Sequence, residues 1–317
     1  MSFLKKYKPV YYKDFIIDKE YITLLETLQK MDNLNILFIG EQGIGKTTLI
    51  MSTIYEYYNT TNIPKYDILI INSLKEQGIN YYRNNLKTFC QTKCSNPLKK
   101  KFIILDDIDN INEQSQQVFR NCMDKYSHNV HFLISCTNIQ KVIDNIQSRS
   151  IIIQLKKINV KLLKKFSQTV EKKEKIIISD DAKDFLLNIC ENSFQKLLIF
   201  LEKFKLFNKE INLECAKELC CNINYLDLQN YTNAWYKEKN YKKAIDIIFK
   251  IYNKGYSVLD ILDNYFSFIK ITTILEEKDK YIIIKFICNY IAIFYKIHEN
   301  KIELAFFTNN LIKNINI

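Results

Sequence analysis

Five short apolar runs mark the first half of the chain: Asn35-Ile36-Leu37-Phe38-Ile39, Ile68-Leu69-Ile70-Ile71, Phe102-Ile103-Ile104-Leu105, His131-Phe132-Leu133-Ile134-Ser135 and Ile151-Ile152-Ile153-Gln154-Leu155. Each is continuous rather than alternating, so both faces of the strand it predicts are covered, and a helical stretch separates it from the next. That pattern predicts a parallel sheet with helices on both sides, an α/β domain over residues 1–156. Beyond Leu155 the strand signals mostly stop. Helical periodicity over 160–172, 179–190 and 194–207 predicts a small helical lid within 157–222. A further all-helical region is expected over 223–317, where helices at 241–252 and 258–269 flank Lys254-Gly255-Tyr256-Ser257, a stop and restart. There is no clear internal repeat.

Glycine use sharpens the picture. The chain has only five glycines in 317 residues, and three fall within Gly40-Glu41-Gln42-Gly43-Ile44-Gly45-Lys46-Thr47. Glycine costs backbone entropy, so such clustering points to positive φ or to close approach of a ligand to the main chain. A strand precedes the segment, and a helix over 46–58 follows it with Leu49, Ile50, Ile54 and Tyr57 on one face. Strand, glycine loop and helix in that order make a phosphate-binding loop. Gly40, Gly43, Ile44, Gly45 and Thr48 belong to its cradle of backbone N–H groups, Lys46 reaches the terminal phosphates and the Thr47 hydroxyl suits magnesium.

Two polar strand ends complete the candidate chemistry. In Leu105-Asp106-Asp107-Ile108-Asp109, Asp106 is placed to hold magnesium through water and Asp107 to polarise an attacking water. In Ser135-Cys136-Thr137-Asn138, Asn138 is placed to reach a terminal phosphate or that water.

Composition narrows the classes. The length suits two or three domains, and 47% hydrophobic residues with three prolines argue for a globular chain without long linkers. The formal charge of +11 agrees with a nucleic-acid partner. Only three of 46 basic residues are arginines, Arg83, Arg120 and Arg149, which draws attention to sites needing a planar guanidinium. Nine cysteines without CxxC spacing read as reduced thiols. The amino-terminal residues lack a signal-peptide pattern, and the most apolar later segment, 281–295, is broken by Lys285 and Asn289. A soluble intracellular protein with no membrane partner is expected.

Taken with the loop, further motifs resemble the clamp-loader small subunits, replication factor C, within the AAA+ ATPases. Tyr7-Lys8-Pro9 is similar to the family's amino-terminal Tyr-Arg-Pro element, which borders the adenine. Ile71-Asn72-Ser73-Leu74-Lys75-Glu76-Gln77-Gly78-Ile79 resembles its Asn-Ala-Ser-Asp-Glu-Arg-Gly-Ile box. Gln116-Gln117-Val118-Phe119-Arg120 resembles Gln-Gln-Ala-Leu-Arg, which ties the active site to the DNA-facing side. Ser148-Arg149-Ser150 resembles Ser-Arg-Cys, whose arginine enters the neighbouring subunit's ATP site, and Gly255-Tyr256-Ser257 falls in a pattern like the carboxy-terminal collar.

The resemblance implies an AAA+ domain over 1–156, a lid over 157–222 and an oligomerisation collar over 223–317. It implies ATP and Mg2+ as cofactors, and as partners the other subunits of a heteropentamer, a sliding clamp and primer-template DNA. Arg83 and Lys87 are expected to meet DNA phosphates from the helix after Gly78. The work would be nuclear, or at a cytoplasmic replication site if a virus encodes the chain.

The sequence departs from the family at its own site. Asp106-Asp107 stands where Asp-Glu is usual, and Asn192-Ser193-Phe194-Gln195-Lys196 replaces Gly-Asp-Met-Arg-Arg, so the sensor arginine becomes Gln195 with Lys196 beside it. ATP binding with slow hydrolysis is the expectation, a non-hydrolysing structural subunit is the alternative, and a different AAA+ replication protein is a third. A helicase-loading protein of that class is expected to carry a winged helix, and residues 225–317 show no β-wing pattern.

Overall fold

The computed structural model describes residues 2–16, 18–72, 79–190, 192–220, 223, 225–272, 274–294 and 298–315. The chain divides into two compact units, residues 1–170 with 192–199, and residues 171–191 with 200–317. The Asn-Ala-Ser-like box falls largely on 73–78, outside the described residues.

The first unit is built on five strands, β1 (Ile36–Ile39), β2 (Ile68–Asn72), β3 (Lys101–Asp106), β4 (Val130–Cys136) and β5 (Ile151–Gln154). They pair in the order β2-β3-β4-β1-β5, all parallel. The apolar runs therefore become one sheet, with β3, β4 and β1 in its middle. Leu37, Ile103, Leu105, Phe132 and Ile134 are fully buried there, whereas Ile70 on edge strand β2 and Ile152 on edge strand β5 are exposed.

Helices α1 (Phe3–Lys6), α2 (Lys19–Lys30), α3 (Lys46–Tyr58), α4 (Ile79–Gln91), α5 (Glu113–Tyr126) and α6 (Asp144–Gln147) alternate with the strands. The predicted face of α3 is the buried one, with Leu49, Ile50, Ile54 and Tyr57 all inside. On α5, Asn112 accepts the Ser115 N–H as N-cap, and Val118, Phe119, Cys122 and Met123 face the core.

At the amino-terminal edge of the sheet a polar knot around the buried His131 and the exposed Asp32 joins four segments. The Leu34 N–H donates to His131 Nδ1 (3.4 Å), which leaves Nε2–H to donate to Asp32 Oδ1 (3.0 Å). Asp32 also accepts from the Tyr57 hydroxyl (2.9 Å) and pairs with Lys100 (2.9 Å). Burial lowers the His131 pKa to about 4, although the hydrogen bond to Asp32 opposes it.

The second unit is helical. It takes the ends of α7 (Val160–Glu174) and α9 (Phe194–Phe207), and contains α8 (Asp180–Ile189), α10 (Leu213–Leu219), α11 (Tyr225–Thr232), α12 (Tyr241–Asn253), α13 (Val258–Ile271), α14 (Glu277–Phe294) and α15 (Lys301–Ile315). Gly255, at φ +100°, stops α12, and Ser257 restarts the chain by accepting the Asp260 N–H. A π-turn at Asn233–Lys237 extends α11. It brings Trp235 Nε1–H onto the buried Tyr265 hydroxyl (3.0 Å), with Thr232 Oγ1 at 3.3 Å. Among the described residues no helix is long and apolar enough to cross a membrane, and 225–315 holds helices with no β-wing.

Two outcomes test this packing. His131 has a folded pKa below its unfolded value, so its contribution is complete above pH 6.5 and is lost as pH falls toward 4, by about 3 kcal/mol for such a shift. Urea unfolding by circular dichroism should show that acid slope, and His131→Gln, which keeps a donor for Asp32, should flatten it. Tyr265→Phe should leave the Trp235 N–H buried without its acceptor and cost the second unit about 1–3 kcal/mol. Fluorescence of Trp235, the chain's single tryptophan, reads that loss.

Candidate phosphate-binding site

The loop from Gly40 to Gly45 joins β1 to α3 at the carboxyl edge of the sheet, where open α/β sheets bind their ligands. Gly43 and Gly45 stand at φ +77° and +106°, which side-chain-bearing residues rarely adopt. Gly43 is needed for a second reason: a Cβ there would lie 2.2 Å from Ser193 Oγ, the residue just before α9. Gly45 is the N-cap of α3, and no side chain caps that helix. Its first N–H groups are therefore directed at the loop's mouth, the positive end of the helix dipole. Lys46 is buried and curls across the loop, donating from Nζ to the carbonyls of Gly40 (2.8 Å) and Glu41 (3.1 Å).

Beside the loop, the Thr47 hydroxyl donates to the Asp106 carboxylate, 3.0 Å from Oδ1 and 3.1 Å from Oδ2. Ser135, on neighbouring β4, donates its hydroxyl to Asp106 Oδ1 (2.6 Å) and accepts the Asp107 N–H (2.9 Å). Thr47 and Asp106 present hard oxygen donors on adjoining elements, a set that suits a magnesium ion completing its shell with water and phosphate. Asp107 leaves the strand in the left-handed region (φ +52°) and lines the cleft. Burial raises its pKa and the neighbouring Asp106 charge adds to the rise, while Lys46 opposes it. A carboxylate so placed is a better proton acceptor than a free aspartate.

The cleft itself has a volume of about 510 Å³, in the range of small-molecule sites. One wall is the loop with Thr47, Thr48 and Asp107. The other carries Tyr7, Pro9 and Ile16 with Phe166 of α7 and Phe194 and Leu198 of α9. Edge-to-face contacts run from Phe3 to Tyr7 (5.6 Å), Tyr7 to Phe166 (6.4 Å) and Phe166 to Phe194 (5.2 Å). Phosphate donors at one end and an apolar aromatic wall at the other match a nucleotide's two halves.

The structure brings Tyr7, Gly43, Ile44, Gly45, Lys46, Thr47, Thr48 and Asp107 onto this one cleft, with Asp106 and Gly40 immediately behind it. Asn138 and Lys196 do not line it. The Asn138 side chain accepts the Gln140 N–H (2.9 Å), and its own N–H goes to Asp109 Oδ2 (3.0 Å). On α9 it is Gln195 that faces the cleft, with Lys196 exposed beside it. Arg149 lies beyond α6 at the start of edge strand β5, and Arg83 and Lys87 are both exposed on α4, one turn apart.

Sequence reasoning missed three participants. Ser135 was legible only as a polar residue ending an apolar strand. Asp109 holds the Thr137 and Asn138 segment through the Thr137 hydroxyl and both N–H groups. Burial pushes its carboxyl up, but those hydrogen bonds outweigh it and hold it below the usual range. Phe166 carried no signal beyond helical periodicity.

Residues 36–158 match the family described as the ATPase family associated with various cellular activities (AAA). The chain is 26% identical over 282 residues, 88% of its length and 82% of the relative's, to a probable replication factor C subunit 2 of Dictyostelium discoideum. Replication factor C subunit 4 of Schizosaccharomyces pombe is 27% identical over 279 residues, 87% of this chain and 81% of that one. A replication factor C small subunit of Methanococcus vannielii reaches 30% over 210 residues, 66% of each chain. In fold the chain is similar to a DNA polymerase III gamma subunit-related protein of Thermotoga maritima, with a TM-score of 0.56 and 16% identity over 91% of this chain and 98% of that one. Thermotoga maritima RuvB gives a TM-score of 0.54 at 14% identity over 74% of this chain and 80% of its own. Residues 36–158 thus carry a domain of the AAA ATPase family, and along most of its length the chain is similar to replication factor C small subunits.

Proposed function

We propose that this chain is a small subunit of a clamp loader, which uses ATP binding and hydrolysis to open a ring-shaped sliding clamp and place it on primer-template DNA. The observation that carries the reading is the division of its chemistry between two places. Lys46, Thr47, Asp106 and Asp107 converge on one cleft, whereas Arg149 stands just before the amino end of edge strand β5, outside its lining. An arginine there serves a neighbour's nucleotide, so the active unit is an assembly of several such chains.

In this reading the α3 amino terminus and Lys46 hold the ATP phosphates, and the apolar wall of Tyr7, Ile16 and Phe166 holds the base. Thr47 and Asp106 are the residues to hold Mg2+, which would neutralise phosphate charge. Asp107 accepts the proton of the attacking water, and Asn138, at the next strand end, reaches that water only by releasing the Gln140 N–H that its side chain now accepts. Lys196, next to Gln195, adds positive charge near the phosphates. Arg83 and Lys87 take DNA phosphates without reading bases. Residues 157–222 act as the lid and 223–317 as the collar that joins subunits. A replication role places the protein in the nucleus, or at a cytoplasmic replication site for a virus-encoded chain.

Two departures slow the chemistry here. Asp107 is one methylene shorter than glutamate, which sets the carboxylate back by about 1 Å, a displacement that can cost on the order of 10²-fold. Gln195 brings no charge to the developing γ-phosphate. These favour tight ATP binding with slow turnover at this site, while Arg149 still serves its neighbour.

The direct test is purification of the tagged chain from its native source, with identification of its companions and assay of ATP-dependent retention of a clamp on primed circular DNA. A preparation with neither companion AAA ATPases nor loading activity sinks the proposal. Lys46→Ala should lower ATP affinity at least about tenfold without unfolding the chain, read by equilibrium binding of a fluorescent ATP analogue. Asp107→Glu should raise single-turnover hydrolysis at this site, and fast hydrolysis by the unmodified site would show Asp107 to be a fully competent base.

A further inference from the structure

Arg149 is held by its own subunit in a way that its proposed role in trans does not explain. Its Nε–H donates to Asp124 Oδ1 at 2.5 Å, and its Nη1 donates to the carbonyl of Asn145 (2.9 Å) and to Ser148 Oγ (3.3 Å). Among the described residues Nη2 makes no hydrogen bond. A guanidinium is planar and rigid, so anchoring two of its three nitrogens fixes the plane and direction of the third. The other oxygen of Asp124 lies 3.5 Å from Nε of Arg120, one helical turn back on α5. One carboxylate therefore sits between two of the chain's three arginines.

We propose that Asp124 is the positioning residue for Arg149, holding its guanidinium so that Nη2 is presented outward to a phosphate of the nucleotide bound by the adjoining subunit. The inference rests on the trans role given to Arg149 above. Both side chains are open enough for such a presentation, Arg149 at 32% exposure and Asp124 at 40%. Asp124 is itself firmly mounted. Four residues before Arg120 on α5, the buried Gln116 donates to the carbonyls of Ile111 (2.9 Å) and Lys141 (3.0 Å) and accepts the Ile143 N–H (3.0 Å), so α5 is braced against the segment that leads through α6 to Arg149. The hydrogen bond from Arg149, with the charge of both arginines, holds the Asp124 carboxyl below its usual range, so it is ionised wherever the protein works.

An exposed ion pair contributes little to folding. Its worth here lies in orientation, because an arginine that must first be ordered delivers less to the transition state than one already aimed. Asp124 touches no nucleotide and is no part of the cleft.

The test uses the assembly purified through this chain, carrying Asp124→Asn, Asp124→Glu, Arg149→Ala or Asp124→Asn with Arg149→Ala. Single-turnover ATP hydrolysis at the adjoining site is measured with primed DNA present. Arg149→Ala should reduce the rate by about 10³-fold. Asp124→Asn should reduce kcat by about tenfold with KM unchanged, Asp124→Glu should recover most of it, and the double variant should be no slower than Arg149→Ala alone. Wild-type kcat in Asp124→Asn beside a slow Arg149→Ala overturns the positioning role and leaves the trans arginine standing. Multiplied losses in the double variant also overturn it, since Asp124 would then act independently of Arg149. Full activity of Arg149→Ala removes the trans role and this inference together.

Discussion

The hydroxyl of Ser135 is the point on which the site turns. It donates to Asp106 and accepts the Asp107 N–H, and Asp106 in turn accepts the hydroxyl of Thr47. Three chain segments far apart in sequence, the ends of β3 and β4 and the start of α3, are thereby locked at one edge of the sheet. Parallel pairing makes this possible, because it brings the carboxyl ends of β1, β3 and β4 side by side. The two carboxylates still repel each other, which keeps the Asp107 pKa raised, but the lock fixes where Asp106 and the Asp107 backbone stand beside the loop.

The opposite wall depends on contact rather than charge. Ser193 approaches Gly43 so closely that only glycine fits, and this seats the first turn of α9 against the phosphate loop. Phe194 then reaches Phe166, and Phe166 reaches Tyr7, so an aromatic row closes the apolar end of the cleft. The loop glycine thus has two tasks, its backbone angle and its surface. The same helix places Gln195, a neutral side chain, on the cleft across from the short Asp107.

Arg120 and Arg149 show a different use of charge. Among 46 basic residues, most of them lysine, these arginines meet over Asp124, where a planar fork can be oriented by several acceptors and an ammonium cannot. Basic charge elsewhere, as at Arg83 and Lys87, stays on exposed helix faces, where it suits a diffuse anionic partner such as a phosphate backbone.

Much of this was legible in the chain itself. Continuous apolar runs reveal buried parallel strands, scarce glycines reveal the loop, and 3.6-residue periodicity reveals α3 and α9 with bounds that the structure repeats. These signals are local, carried by residues near one another in sequence. The tertiary structure alone decided that Ser135 bridges Asp106 and Asp107, that Asp109 pins the Asn138 segment away from the cleft lining, that Gln195 rather than Lys196 lines the cleft, and that Arg149 donates to Asp124. Each of these depends on strand order, on helix rotation or on a single hydrogen bond between distant segments. Serine, aspartate and glutamine have no pattern that announces such a partner, since their role is set by which groups the fold brings within about 3 Å.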